Sequence, residues 1–142
     1  MKLPYIALAA IAAALLSTPA QAQPGIVTTQ LDSAVVLMGG NNFVPADEAV
    51  LGTLGEGEDE EFELDLEAGN QYFVVGVCDG GCSDMDLVLT NSSGQEVEAD
   101  REMDDVPMLA IEGQSGSFVL SVQMATCSSD ECHYGVRVFR SR

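Results

Sequence analysis

The sequence predicts an all-β protein, an antiparallel, jelly-roll-like β-sandwich of seven or eight strands with one short N-terminal helix. Apolar residues alternate with acidic ones from Phe62 to Leu66, which is the period of a strand with one face exposed to solvent. Short segments of this kind recur as far as Phe139 without helical patterns between them. Only residues 28–38 have apolar side chains at helical spacing.

The first 22 residues have the three parts of a secretory signal peptide. Lys2 supplies the positive charge, residues 6–16 form the apolar stretch, and Ala20-Gln21-Ala22 is a small-x-small cleavage site. The apolar stretch is too short to cross a bilayer, which needs roughly 20 residues. We therefore expect no membrane span and a mature chain that begins at Gln23, in the periplasm or outside the cell. The alternative is a buried N-terminal helix of a cytosolic protein.

The helix is predicted between Thr28 and Met38, before the stop signal Gly39-Gly40. Its apolar positions at i, i+3, i+4 and i+7 are Leu31, Ala34, Val35 and Met38. Residues 23–47 are accordingly predicted to be an N-terminal helix and a linker, and residues 48–142 to be the β-sandwich domain.

Strands are predicted along the rest of the chain. The acidic run Glu56–Glu61 is expected to be a solvated loop, and the apolar run Gln71–Cys78 a central strand covered on both faces. Segments 86–90 and 96–100 flank a turn at Asn91-Ser92-Ser93-Gly94 and predict a hairpin. The remaining predicted strands are 108–111, 117–124 and 134–139.

Four cysteines occur as two close pairs, Cys78 with Cys82 and Cys127 with Cys132. In an oxidising compartment an even number of cysteines predicts disulfides, and four cysteines allow three pairings that the sequence cannot distinguish. We favour the two local bridges, because two glycines inside the first pair allow a tight turn. The alternative is a zinc site of four thiolates, although its usual two-residue spacers are absent.

The charge of the chain restricts its partners. There are 23 acidic residues against five basic ones, a formal net charge of −18, and removal of the leader takes away Lys2 and gives −19. Without a basic stripe the surface repels nucleic acid and anionic membranes. The expected partner is therefore an unknown protein or a component of the cell surface, with no nucleic acid.

Six aspartates in two loop regions are candidate calcium ligands. They are Asp79, Asp84 and Asp86 in the first region, and Asp100, Asp104 and Asp105 in the second. Calcium binds six to eight oxygens, and loops at one end of a sandwich can supply them. There is no EF-hand spacing, and aspartates often form turns with their own backbone. We expect no required cofactor, with calcium as a candidate stabilising ion.

The segment Asp84–Asp100, DMDLVLTNSSGQEVEAD, resembles the bacterial pre-peptidase C-terminal domain, a β-sandwich module appended to many secreted proteases. That family has an Asp-Leu-Asp-Leu strand, a turn that ends in Gly, and a returning strand that closes on Asp. Segments 62–72 and 116–122 match other strands of the family, so the likeness covers roughly residues 48–140. Departures include Met85 in place of Leu and the cysteine pairs. The resemblance implies a non-catalytic accessory role.

Catalytic motifs are sparse. A nucleophile usually requires a histidine base, and the sole histidine, His133, is expected to be a surface residue at a strand start. There is no phosphate-binding glycine loop and no histidine-containing metal motif. We predict a secreted, non-enzymatic binding or accessory module. The alternative is a small hydrolase with a carboxylate pair, because such a pair is defined by its separation in space.

Overall fold

A computed structural model describes residues 24–142; the predicted leader and its cleavage site lie outside the described residues. The described part of the chain contains one helix and nine strands. In chain order they are α1 (Pro24–Gly40), β1 (Phe43–Pro45), β2 (Val50–Leu54), β3 (Asp59–Leu66), β4 (Tyr72–Cys78), β5 (Cys82–Asn91), β6 (Glu96–Asp100), β7 (Met108–Ile111), β8 (Gly116–Cys127) and β9 (Cys132–Ser141).

The strands form two antiparallel sheets that enclose the main core. In sheet A, β1 and β2 both pair with one edge of β9, and β4 and β7 follow on its other side. Sheet B has the order β3-β8-β5-β6. The pairs are nested: β5 pairs with β6, β4 with β7, β3 with β8 and β2 with β9. This nesting is the topology of a jelly roll, so the predicted fold class is confirmed.

The two sheets use their strands differently. In β3 the buried Leu64 and Leu66 alternate with the exposed Glu63 and Asp65, as the period of two predicts. Strand β4 is buried on both faces, with Val74 in the core between the sheets and the next residue, Val75, on the opposite side. The prediction of a central strand covered on both faces is therefore confirmed for β4.

Helix α1 is longer at both ends than the predicted segment. Its first residue is Pro24, which a helix tolerates in its first turn because that amide needs no partner within the helix. The two glycines expected to end the helix form its last turn instead. The helix ends at Gly40, and Asn42, two residues later, has a positive φ of 65°, the left-handed conformation common after helices.

The sequence analysis missed strands β1 and β2, which raise the number of strands to nine. Strand β1 ends at Pro45 and β2 contains Gly52, two residue types that weaken the signal of a strand, and both strands depend on β9 for their pairing. The segment predicted as a linker therefore includes a strand of sheet A.

The prediction of a loop over Glu56–Glu61 is wrong for the second half of that run. Asp59, Glu60 and Glu61 belong to β3 and pair with β8. The sheet accommodates these charges because β3 is an edge strand and all three residues are exposed. Glu60 also accepts a hydrogen bond of 2.5 Å from the hydroxyl of the buried Tyr134.

Helix α1 covers the outer face of sheet A and makes a second apolar cluster there. Val27 and Leu31 are almost fully buried against β4 and β9. They lie over Gly135, where a Cβ atom would come within 2.6 Å of Val27 Cγ1 and 2.8 Å of Leu31 Cδ1. The missing side chain at this position of β9 therefore lets the helix approach the sheet.

We predict that Gly135→Ala lowers the free energy of unfolding by about 1–3 kcal/mol, because the added methyl group overpacks the contact between helix and sheet. Urea denaturation measures this loss. Gly80→Ala is the matched control, since a Cβ at Gly80 meets nothing within 4 Å. Equal losses in the two variants would show that the helix does not depend on Gly135.

Candidate functional site

The four cysteines form two local disulfides, Cys78–Cys82 and Cys127–Cys132. The favoured pairing is therefore confirmed. The alternative of a four-thiolate zinc site is wrong, because every one of these sulfurs is bonded to another sulfur. Two disulfides are typical of a protein in an oxidising environment, either periplasmic or extracellular.

The two disulfide loops meet at one end of the sandwich, where Cys82 and Cys127 are cross-strand neighbours. The carboxylate of Asp79, which is only 4% exposed, joins the loops. It accepts hydrogen bonds from the amides of Gly81, at 3.0 Å, and His133, at 2.9 Å. Both oxygens of this candidate calcium ligand therefore bind backbone amides, and its role here is to hold the loops together.

We predict that the native protein contains no thiol that reacts under denaturing, non-reducing conditions. Replacing either cysteine pair by alanines should cost about 2 kcal/mol of stability, because each bridge closes a short loop. Thiol titration and urea denaturation measure the two quantities. Four reactive thiols in the purified, non-reduced protein would contradict the disulfides.

Two further candidate calcium ligands also bind the backbone. Asp100 accepts hydrogen bonds from the amides of Glu102, at 3.0 Å, and Met108, at 2.8 Å. Asp104 accepts one from Val106 at 2.9 Å. These carboxylates order the connection between β6 and β7, and neighbouring Asp105 is exposed.

Asp84 and Asp86 are two candidate ligands that the structure brings together, and the charge of Asp100 acts on Asp86 as well. The two alternate with the buried Met85 and Leu87 on β5 and so share the outer face of sheet B. Burial, and then the negative charge of Asp84, raise the pKa of Asp86 above its ordinary value, while Arg101 opposes the shift. Within residues 24–142, no three acidic, histidine or cysteine side chains are grouped so that they could hold a metal ion.

We predict that Asp86→Asn raises the melting temperature at pH 7. Because folding raises the pKa of Asp86, the folded state loses stability as the pH rises from the ordinary value of 3.8 through the raised one. The advantage of the variant should therefore disappear below about pH 4. Glu63→Gln removes the same charge from an exposed position and is the control. An equal gain in both variants would mean that only net charge matters.

Calcium stabilisation stays a prediction, and the same melting experiment tests it. Two carboxylates leave most of the coordination positions of calcium to water, so binding should be weak. A rise in melting temperature that exceeds the rise in sodium chloride at matched ionic strength, and that is lost in Asp86→Asn, would support a site. Equal rises would mean screening alone.

A second candidate site is an apolar groove between α1 and the β4–β7 side of sheet A. It has a volume of about 290 Å³. Its lining residues are Gln30, Ser33, Ala34, Leu37, Met38, Val75, Val77, Val106 and Met108. The helix packs mainly on β1, β4 and β9, and the groove lies between it and the Val106–Met108 side of the sheet, with the buried Val75 and Val77 of β4 in its lining.

Large apolar side chains at and near the groove are exposed. Leu37 is 69% exposed, and Val106 and Met108, in the opposite wall, are each 44% exposed. Sequence reasoning missed this groove. The available signal was the composition of α1, which has a single charged residue, Asp32, and apolar residues on every side.

Comparisons with known proteins do not identify a family for this chain. No protein-family model matches it. No curated protein matches it at a significant level. The one helix of the described residues is not long and apolar enough to cross a membrane.

Proposed function

We propose that the chain is an exported, non-enzymatic binding module that acts on a protein or a component of the cell surface. The observation that carries this proposal is the exposed apolar groove between α1 and β7. On a molecule with a net charge of −18, exposed apolar side chains in a concave surface favour an interaction site.

The use of the acidic residues supports a role without catalysis. Asp79, Asp100 and Asp104 direct their carboxylates at backbone amides of neighbouring loops, where they order turns. The alternative, a hydrolase, would depend on Asp84 and Asp86, whose charges interact with each other and, for Asp86, with Asp100. Asp84 and Asp86 lie on one strand of sheet B, and neither lines the groove.

The likeness of residues 48–140 to the pre-peptidase C-terminal domain supports the same proposal. That family is an accessory β-sandwich, and the present chain is a β-sandwich of jelly-roll topology. Export through the signal peptide of residues 1–22 is part of the proposal, and the two disulfides agree with it.

The test compares binding with turnover in the protein isolated after export. We expect saturable binding of a component of the exported or cell-surface fraction, and no turnover on panels of glycosides and esters. Loss of that binding in a variant with Leu37→Ser and Met108→Ser, but not in Val36→Ser, would assign it to the groove. Turnover that Asp86→Asn abolishes would overturn the proposal in favour of a carboxylate hydrolase.

A further inference from the structure

We infer that the groove binds an apolar segment of a partner polypeptide that carries lysine or arginine beside its apolar side chains. This inference rests on the proposed binding function and adds the chemistry of the partner. Three observations carry it: the lining of the groove, the charges fixed at its lip, and an unsatisfied acceptor in its wall.

The lining selects apolar side chains. Val75 and Val77 of β4 form the floor, Val106 and Met108 form one wall, and Leu37 extends the wall on the helix side. Methionine is unbranched and adapts its shape to different partners, so its presence favours an apolar occupant of irregular shape. Transfer of such an occupant from water into the groove is favourable in proportion to the apolar area that is covered.

Three acidic residues, Asp100, Asp104 and Asp105, flank the wall formed by Val106 and Met108 without lining the groove, and we call them its lip. Asp104 accepts a hydrogen bond from the amide of Val106, and Asp100 accepts one from the amide of Met108. Each carboxylate is thereby held beside a residue of the apolar wall, and Asp105 adds an exposed charge next to Val106. A cation on the occupant would find these acceptors in place, so charge complementarity selects a basic segment.

Gln30 supplies a polar contact on the helix side. Its Oε1 atom is buried and has no hydrogen-bond partner. An acceptor that is shielded from water without a partner costs stability, and rotation of the Gln30 side chain into the groove would let an N–H group of an occupant remove that cost. The residue lines the groove, which makes it suited to a polypeptide with backbone or side-chain donors.

The same charges disfavour two other occupants. A second copy of the chain would bring its own formal charge of −18 and the same acidic lip to the interface. An anionic membrane surface would be repelled in the same way. A basic polypeptide is attracted by the same negative charge that repels a second copy of the chain or an anionic membrane.

The helix provides a matched control for the groove. Val36 and Leu37 are adjacent, and the first is 75% exposed against 69% for the second. Successive side chains of a helix point about 100° apart. Leu37 lines the groove and Val36 does not. Serine at the two positions removes similar apolar surface, but only one change alters the groove.

The experiment uses the exported protein, with its N-terminus established by intact mass. The probe is an amphipathic peptide of about 15 leucine and lysine residues, and a peptide with glutamate in place of lysine is its control. Fluorescence anisotropy measures affinity at about 50 mM and about 300 mM sodium chloride. We expect the lysine peptide to bind and the glutamate peptide not to bind.

The variants locate the binding. Leu37→Ser with Met108→Ser should weaken it about tenfold or more, and Val36→Ser less than about twofold. Asp100→Asn with Asp104→Asn should weaken it severalfold and reduce its dependence on salt, because asparagine keeps an oxygen acceptor and removes the charge. Glu61→Gln with Glu63→Gln removes two charges from β3, outside the groove, and should have little effect. Melting temperatures identify any variant that fails to fold, and the single change Leu37→Ser then replaces the double one.

Several results would overturn the inference. They are equal binding of the two peptides, equal losses in Leu37→Ser and Val36→Ser, or equal losses in the two pairs of charge variants. A dimer in sedimentation that Leu37→Ser abolishes would assign the groove to a second copy. Binding to anionic phospholipid vesicles through Leu37 would assign it to a membrane. Failure of this test would overturn the inference about the groove but not the proposed binding function, which another surface would then perform. The turnover assay tests the proposed function separately.

Discussion

The packing of α1 on the outer face of sheet A is the contact on which the rest of the structure depends. Strand β4 carries apolar side chains on both faces, so sheet A cannot leave its outer face in water. The helix buries Val75 and Val77 of β4 and Phe139 of β9, and Gly135 allows it to come close. One helix is narrower than the sheet, however. The apolar groove is the space that remains between the helix and the wall formed by Val106 and Met108.

Sheet B can expose its outer face to water because of its amino-acid composition. Within residues 24–142 no helix covers its outer face, and its edge strand β3 places acidic residues there in alternation with the core leucines. The charges keep this face hydrated and protect the edge strand from pairing with other chains. The molecule is thus divided into a charged sheet and an apolar, helix-covered sheet. This division is why the apolar groove on sheet A stands out from an otherwise acidic surface.

The sequence predicted those features that depend on local pattern. Strand β7 has the predicted bounds of Met108 and Ile111, and the two disulfides are the pairing that close spacing and the two glycines favoured among three possibilities. Strands β1 and β2 were missed because Pro45 and Gly52 are unfavourable within strands, and pairing with β9 holds them in the sheet. The groove was not predictable either. It depends on where α1 lies across the sheet, and periodicity contains no such information.

The nested pairing of the strands fixes an order in which the molecule can be completed. The β5–β6 hairpin lies innermost and its contacts are local. Val50 of β2, in contrast, pairs with Val136 of β9, near the other end of the chain. Loop closure over such a separation is slow, because its entropic cost precedes any gain from contact. Strand β9 also carries Gly135, over which α1 packs. Helix α1 packs on both β4 and β9, so its docking is complete only when β9 is in place, and until then part of its apolar face stays exposed.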